Sequence, residues 1–291
     1  MKEALFFTKL LQDQVRCDLC AHRCVITPGR FGICGVRENR AGALVTHAYG
    51  RTVAEHVDPI EKKPLYHFLP GTQTYSIATI GCNFRCGFCQ NWQISQQNFK
   101  QGSPPEGTES TPEAIVDRAL QSGCASIAYT YTEPTIFFEY AYDTALLAKS
   151  HNLANVFVTN GYMTQEALDC IAPYLDACNV DLKAFSGSFY NKTCKAQLQP
   201  VLDTIREIHR KKIWLELTTL IIPGENDSVE ELTQLTRFIA DIDPHIPWHI
   251  SRFFPKYQFH DHPVTPISTL DIAQEIGQKA GLRNIHLGNV R

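Results

Sequence analysis

The stretch GCNFRCGFCQN, residues 81 to 91, places Cys82, Cys86 and Cys89 in a C-x3-C-x2-C run. Three thiols this close together point to a metal. A closed tetrahedral site takes four ligands, so one is missing. Zinc held by three protein ligands and a water favours histidine and carboxylate, and three thiolates leave a poor Lewis acid. A [4Fe-4S] cluster suits sulfur ligands better. With three cysteines, one of its irons lacks a protein ligand and stays open to a small molecule. The alternative is a structural zinc or an ordinary electron-transfer cluster.

A second group, Cys17, Cys20, Cys24 and Cys34, reads C-x2-C-x3-C-x9-C. Four thiols are enough to close a site, and either zinc or an auxiliary [4Fe-4S] cluster accepts them. The CxxC opening and the glycine turns around it resemble a zinc ribbon, which favours zinc in a structural role. Cys124, Cys170, Cys178 and Cys194 are single and read as small buried apolar residues. The start, MKEALFFTKLLQDQ, has too short an apolar run for a signal-peptide core or a membrane span. The expectation is a cytoplasmic protein whose eleven cysteines stay reduced and serve metals before disulfides. Net charge is -3, and no basic run is denser than Arg210-Lys211-Lys212, so nothing points to nucleic acid.

The elements that must position these groups follow from the pattern after residue 74. Short β-branched runs near 75–80, 125–130, 154–159, 177–182, 213–222, 247–252 and 284–288 alternate with amphipathic windows near 111–122, 135–151, 164–173, 198–211, 228–241 and 268–281. Thr111 followed by Pro112 opens the first helix, and Ser228 with Glu231 forms a capping box for the fifth. Six βα repeats give an α/β fold, a partial (β/α)6 TIM-like barrel. Residues 1–58 form a small Cys-rich metal-binding unit, 59–73 a proline-rich connector and 74–291 the barrel. The segment 100–111, KQGSPPEGTEST, reads as an exposed loop.

In parallel α/β folds the ligand sits at the carboxyl ends of the strands. Here those ends carry Cys82, Thr130 and Glu133, Asn160, Asp181 and Lys183, the Pro223–Asn226 loop, and His249 with Arg252. Together they outline one site on one rim.

The cysteine run, with the aromatic Phe88 before its last member and the first barrel strand before it, resembles the signature of radical S-adenosylmethionine (SAM) enzymes. That resemblance implies that the amino and carboxylate groups of SAM chelate the open iron. The reduced cluster would pass an electron to the sulfonium, and the resulting 5′-deoxyadenosyl radical would abstract hydrogen from a substrate. YTEPT at 131–135 stands where that family has a Gly-Gly-Glu-Pro motif gripping the SAM amino group: Glu133 and Pro134 match, while Tyr131 and Thr132 depart from the glycines. TNGY (159–162), VDLKAF (180–185) and WHISRF (248–253) are similar to segments of glycyl-radical activating enzymes, which implies that Asn160, Asp181, Lys183 and His249 line the SAM and substrate cavity. For Asp181 and Lys183 the alternative is an internal ion pair, and for His249 a satisfied core histidine.

The ordered set CDLCAHRCVITPGRFGICGVREN, VDPIEKKPLYHFLPGT, GCNFRCGFCQNWQIS, YTEPTIFFEY, VDLKAF, SRFFPKY and HLGNVR resembles the radical SAM component of the AmmeMemoRadiSam system, a subgroup related to pyruvate formate-lyase activating enzyme. Relatives run on into a short Cys-pair ribbon, whereas this sequence ends at Arg291. The resemblance implies a flavodoxin- or ferredoxin-type electron donor and a substrate that is a protein glycyl or peptide site, with a small molecule as the alternative. Within the connector, Lys62, Lys63, Tyr66 and His67 could reach the barrel mouth and meet an anionic group, or Leu65, Phe68 and Leu69 could simply pack it beneath the barrel.

Overall fold

A computed structural model describes residues 1–97 and 107–290. At its centre is one eight-stranded sheet in which every strand lies beside its predecessor. Its strands are β1 (Ala54–Pro59), β2 (Gln73–Ala78), β3 (Ser126–Tyr129), β4 (Ala154–Thr159), β5 (Ala177–Asp181), β6 (Trp214–Ile221), β7 (Trp248–Arg252) and β8 (Ile285–Gly288). β1 runs antiparallel to β2, and all later pairs are parallel. Pairing ends at β1 and β8, so the barrel is open along one side.

The crossovers are α1 (Pro112–Gln121), α2 (Phe138–Ser150), α3 (Gln165–Ile171), α4 (Leu198–Arg210), α5 (Val229–Ile242) and α6 (Ile267–Lys279). Six βα units followed by β8 give the partial TIM-like barrel that the alternation of strands and helices predicts. Each helix buries one face; in α4 it is Val201, Leu202, Ile205 and Ile208. Thr111 caps α1 by accepting from Ala114 N, with Pro112 behind it. Ser228 likewise accepts from Glu231 N, but the Glu231 carboxylate accepts from Phe185 N, across to the loop after β5, so the capping box is only half formed. α2 starts later than its sequence suggests because a 3-10 turn, Pro134–Phe137, precedes it, capped by the Glu133 side chain.

The amino-terminal segment folds into two small three-stranded sheets. Its buried residues Val15, Leu19, Ile26, Val36 and Leu44 belong to the same apolar cluster as the barrel's Ile80, Ile136 and Phe138. After β1 the chain makes a 3-10 turn, Ile60–Lys62. There Ile60 and Leu65, with Phe68 partly buried beside them, pack against Ala128, Val156 and Ala177. Leu69 stays exposed. Of the expected loop at 100–111, residues up to 106 lie outside the described residues, while Thr108–Glu109 pairs with Arg51–Thr52. All eleven cysteines are free thiols. Among the described residues no helix is long and apolar enough to cross a membrane.

Candidate functional site

A cavity of about 320 Å³ opens at the carboxyl ends of the parallel strands. Each of them supplies part of its wall: Cys82 after β2, Glu133 after β3, Asn160 after β4, Asp181 and Lys183 at β5, Thr218 on β6, Ser251 on β7 and Asn289 after β8. All three thiols of the C-x3-C-x2-C run line it, as does Phe88, whose ring packs between Phe189 and Phe259. The volume lies within the roughly 300–1,000 Å³ of small-molecule sites.

The loop carrying the thiols must turn sharply into the amino-terminal segment. Gly81 makes this turn with φ +92°, and a Cβ there would stand 2.7 Å from the Cys34 carbonyl oxygen. Cys82 Sγ accepts from Phe84 N at 3.3 Å, and Cys89 Sγ lies 3.0 Å from Ser95 Oγ. Cys86 is fully buried and hydrogen-bonds the Cys194 thiol, on a π-helical turn, Tyr190–Cys194. That contact and then burial hold the Cys86 thiol well above its ordinary pKa, and burial followed by the Glu133 charge does the same for Cys82. Among the described residues no three thiols, imidazoles or carboxylates already stand at the spacing of a single shared ion.

Glu133 is 1% exposed, and burial raises its pKa against four hydrogen bonds. Oε1 accepts from Thr135 N (3.0 Å), Thr135 Oγ1 (2.6 Å) and Thr159 Oγ1 (2.7 Å), whereas Oε2 accepts from Asn160 N alone, at 2.8 Å. A carboxylate oxygen has two acceptor positions, so the spare one is on Oε2. Asn160 Nδ2 donates to Asn83 Oδ1 at 2.7 Å, tying the β4 end to the cysteine loop. The buried Asn83 Nδ2 has no partner. Lys183 pairs with Asp181 at 2.8 Å. Burial opposes its charge, but Asp181 and the Cys86 and Cys194 sulfurs hold its pKa well above the ordinary lysine value. It is an ion pair on the cavity wall, which unites the two readings of Asp181 and Lys183.

His249 does not line this cavity. Near the amino end of β7, it is 3% exposed, with Nε2 2.7 Å from Glu216 Oε2 and its ring stacked on His286. It is a satisfied core histidine, held where a buried carboxylate demands a partner. Tyr66 N and His67 N also donate to Glu216, so that half of the connector sits with His249, away from the cavity. Lys62 and Lys63 do line the cavity. Both ammoniums pair with Asp58 at 2.7 Å, and Lys63 Nζ lies 4.3 Å from the Tyr131 ring centroid.

Tyr131 departs from the glycine expected at its place, yet its φ of +61° is the left-handed conformation that favours glycine. Its hydroxyl donates to Asp58, a bond that glycine could not make and that helps offset the strain. Sequence reasoning did not single out Asp58, Ser95, Asn83 or Glu216. An acidic residue four and five positions before two lysines was the one available signal for Asp58; the others depend on distant partners.

The four amino-terminal cysteines gather around a second, much smaller cavity of about 10 Å³, walled by Ile26, Ile136 and Arg37.

The radical SAM superfamily pattern matches residues 76–236. Over its whole length the chain is 44% identical to an uncharacterized protein, MJ0808, of Methanocaldococcus jannaschii, covering 86% of that protein. A putative glycyl-radical enzyme activating enzyme of the same organism, MJ1632, is 25% identical over 61% of this chain and 66% of its own. In fold the chain is similar to a radical SAM methyltransferase from Sphaerobacter thermophilus, with a TM-score of 0.58 and 16% identity over 76% of this chain and 67% of that one. With seven parallel strand ends converging on three cysteines, and more than half of the sequence matched, the chain belongs to the radical SAM superfamily.

Proposed function

We propose that the chain holds a [4Fe-4S] cluster on Cys82, Cys86 and Cys89, binds SAM with Glu133 at its amino group, and cleaves it reductively to abstract hydrogen from a substrate. The observation that carries this reading is the cavity itself, which joins the three thiols to a buried carboxylate with one acceptor position to spare. The residues fit such a group. The donors are sulfur, the family uses this cofactor pair, and the unpartnered Asn83 amide in the same loop offers a further hydrogen bond. When bound, the pair supplies a one-electron reduction of the sulfonium and a carbon radical able to take a hydrogen atom.

The chain's own residues then have separable tasks. Cys82, Cys86 and Cys89, kept as thiols by burial and, for Cys86, first by its contact with Cys194, would each give up a proton to ligate iron. Phe84 N–H and Asn160 Nδ2 face Cys82 Sγ, at 3.3 and 3.9 Å, and Ser95 Oγ faces Cys89; contacts of this kind tune a cluster's potential. Glu133 orients an ammonium through Oε2. Phe88 and Phe84 keep water from the thiol loop. Asp181 and Lys183 line the wall beside Phe88, offering one acceptor and one donor to SAM or substrate.

For the substrate we favour a protein glycyl or peptide site, supported by the name of the MJ1632 relative and by the strand-end segments shared with activating enzymes. Lys62 and Lys63 share the Asp58 carboxylate, which leaves one positive charge on that side of the cavity, suited to an acidic group beside the reacting carbon, while Asp181 matches Lys183 and Glu133 carries the opposing charge elsewhere on the wall. An electron donor of flavodoxin or ferredoxin type completes the reaction. The alternative is an iron-sulfur electron carrier or zinc-stapled interaction protein that makes no use of SAM.

The deciding experiment incubates anaerobically reconstituted, dithionite-reduced protein with SAM, beside Cys86→Ala, and measures 5′-deoxyadenosine by mass spectrometry. Product in the wild type alone is expected. A reducible four-iron cluster whose spectrum SAM leaves unchanged, with no product, would overturn the proposal in favour of the alternative.

A further inference from the structure

Cys17, Cys20, Cys24 and Cys34 line a single cavity of about 10 Å³, against about 320 Å³ at Cys82, Cys86 and Cys89. The smaller space is on the scale of one water molecule, roughly 10–15 Å³ by the same measure. That space is nearer the size of one ion than of a cube of four irons and four sulfides, and the four sulfurs have still to draw together to reach the spacing of a shared ion. Arg37 sits in the wall, with its side chain 1% exposed. Its Nη1 pairs with Glu139 at 3.0 Å and its Nη2 donates to the Leu5 carbonyl, but its Nε has no partner. A buried N–H left without an acceptor is costly, so the site favours a group that accepts from it. Four thiolates around a divalent cation make strong acceptors, and although Glu139 already neutralises the guanidinium, its unpartnered Nε is a donor beside them.

The residues between these cysteines touch the catalytic loop. His22 Nε2 lies 2.8 Å from the Asn83 carbonyl, the Arg85 guanidinium donates to the Ile33 carbonyl, and the Cys34 carbonyl is what a side chain at position 81 would strike. On the β4 side, Ala21 N donates to Tyr162 O at 3.0 Å and Thr164 N to Leu19 O at 3.1 Å. Two loops of the SAM cavity therefore lean on backbone that the four cysteines would fix.

We propose that Cys17, Cys20, Cys24 and Cys34 bind one tetrahedral zinc ion, with Arg37 Nε as a donor to its thiolates, and that this ion braces the thiol loop 81–89 and the turn 160–164 of the SAM cavity. This deepens the functional reading above and rests on it for the cavity's role. The ion itself stands independently of it.

The test measures zinc and iron by mass spectrometry in anaerobically purified full-length protein, before and after iron-sulfur reconstitution. About one zinc and about four irons per chain are expected. Cys86→Ala should lose iron and keep zinc, and Cys24→Ser should lose zinc. About eight irons, falling to about four in Cys24→Ser, would overturn the zinc assignment in favour of a second cluster. Folded wild type without zinc, its four thiols open to a thiol reagent, would overturn any metal there. The brace is read separately from the electron paramagnetic resonance spectrum of the reduced cluster with and without SAM. His22→Ala, which leaves every thiol in place, should keep zinc and broaden or shift that spectrum. An unchanged spectrum in both His22→Ala and Cys24→Ser would refute the brace, and should Cys24→Ser fail to fold, His22→Ala decides. Loss of SAM response in wild type with zinc retained would instead refute the functional reading.

Discussion

Glu133→Gln gives the most direct test of how the cavity recognises SAM. Its Oε1 takes three donors and its Oε2 only Asn160 N. A glutamine that keeps its oxygen in the Oε1 position preserves the three bonds from Thr135 and Thr159. Its NH2 then faces Asn160 N–H, which loses its acceptor at a cost of about 1–3 kcal/mol of stability. The same change removes the charged acceptor for the SAM ammonium. A hydrogen bond to a charged group contributes about 1.5–3 kcal/mol, so Kd for SAM should rise by about 10- to 150-fold. Thr159→Val is the control, because it takes one donor from Oε1 and leaves Oε2 untouched. The assay is anaerobic calorimetric titration of SAM into reconstituted protein, with melting temperatures to separate binding from folding. A folded Glu133→Gln whose Kd stays within about threefold of wild type, under ~0.7 kcal/mol, would refute the assignment of Oε2 to SAM.

Three further outcomes are expected. Gly81→Ala forces a side chain onto φ +92° and against the Cys34 carbonyl, so iron loading after reconstitution and the melting temperature should both fall; full loading would show that the turn has slack. His249→Phe should lower stability by about 1–3 kcal/mol in denaturant unfolding and leave the Kd for SAM unchanged, since the ring bonds Glu216 and misses the cavity. Burial works against the Glu55 charge, yet donors from Thr52, Tyr75, Ser110 and Arg118 outweigh it and hold its pKa at about 2, below the ordinary 4.5. Its folded value is the lower one, so the stabilisation is present above pH 4.5 and is lost as pH falls towards 2. An acid-unfolding curve of Glu55→Gln should be flatter than wild type across that window, and parallel curves would refute the linkage.

Much of the barrel was legible because its signals are local. A β-branched run such as ANVFVT, a cap such as Thr111-Pro112 and three closely spaced cysteines each need no distant partner to be read. The misreadings share the opposite character. Glu231 looked like a capping box because four residues fit one, yet its carboxylate is taken by Phe185, 46 positions away. His249 followed the motif of a strand end, while the buried Glu216 one strand over determined its role. The connector divides between two fates, with Lys62 and Lys63 at the cavity and Tyr66 and His67 at Glu216, and no pattern within ten residues marks where it divides.

The docking of the amino-terminal segment onto the barrel has a consequence for the order in which the chain can fold. Its anchors are long in sequence: Leu5 to Glu139 spans 134 positions, Arg23 to Glu166 spans 143 and Thr164 to Asp18 spans 146. During synthesis these residues wait for α2 and α3 before they can be locked. At about 5–20 residues per second that wait is on the order of 10–30 s. Thiol-reagent labelling of ribosome-bound chains should find Cys17, Cys20, Cys24 and Cys34 reactive until α3 has emerged and protected afterwards; protection earlier would mean that the segment folds alone. The earliest-made cysteines thus stay open until α3 has been made, and for that interval their safety depends on the reducing state of their surroundings.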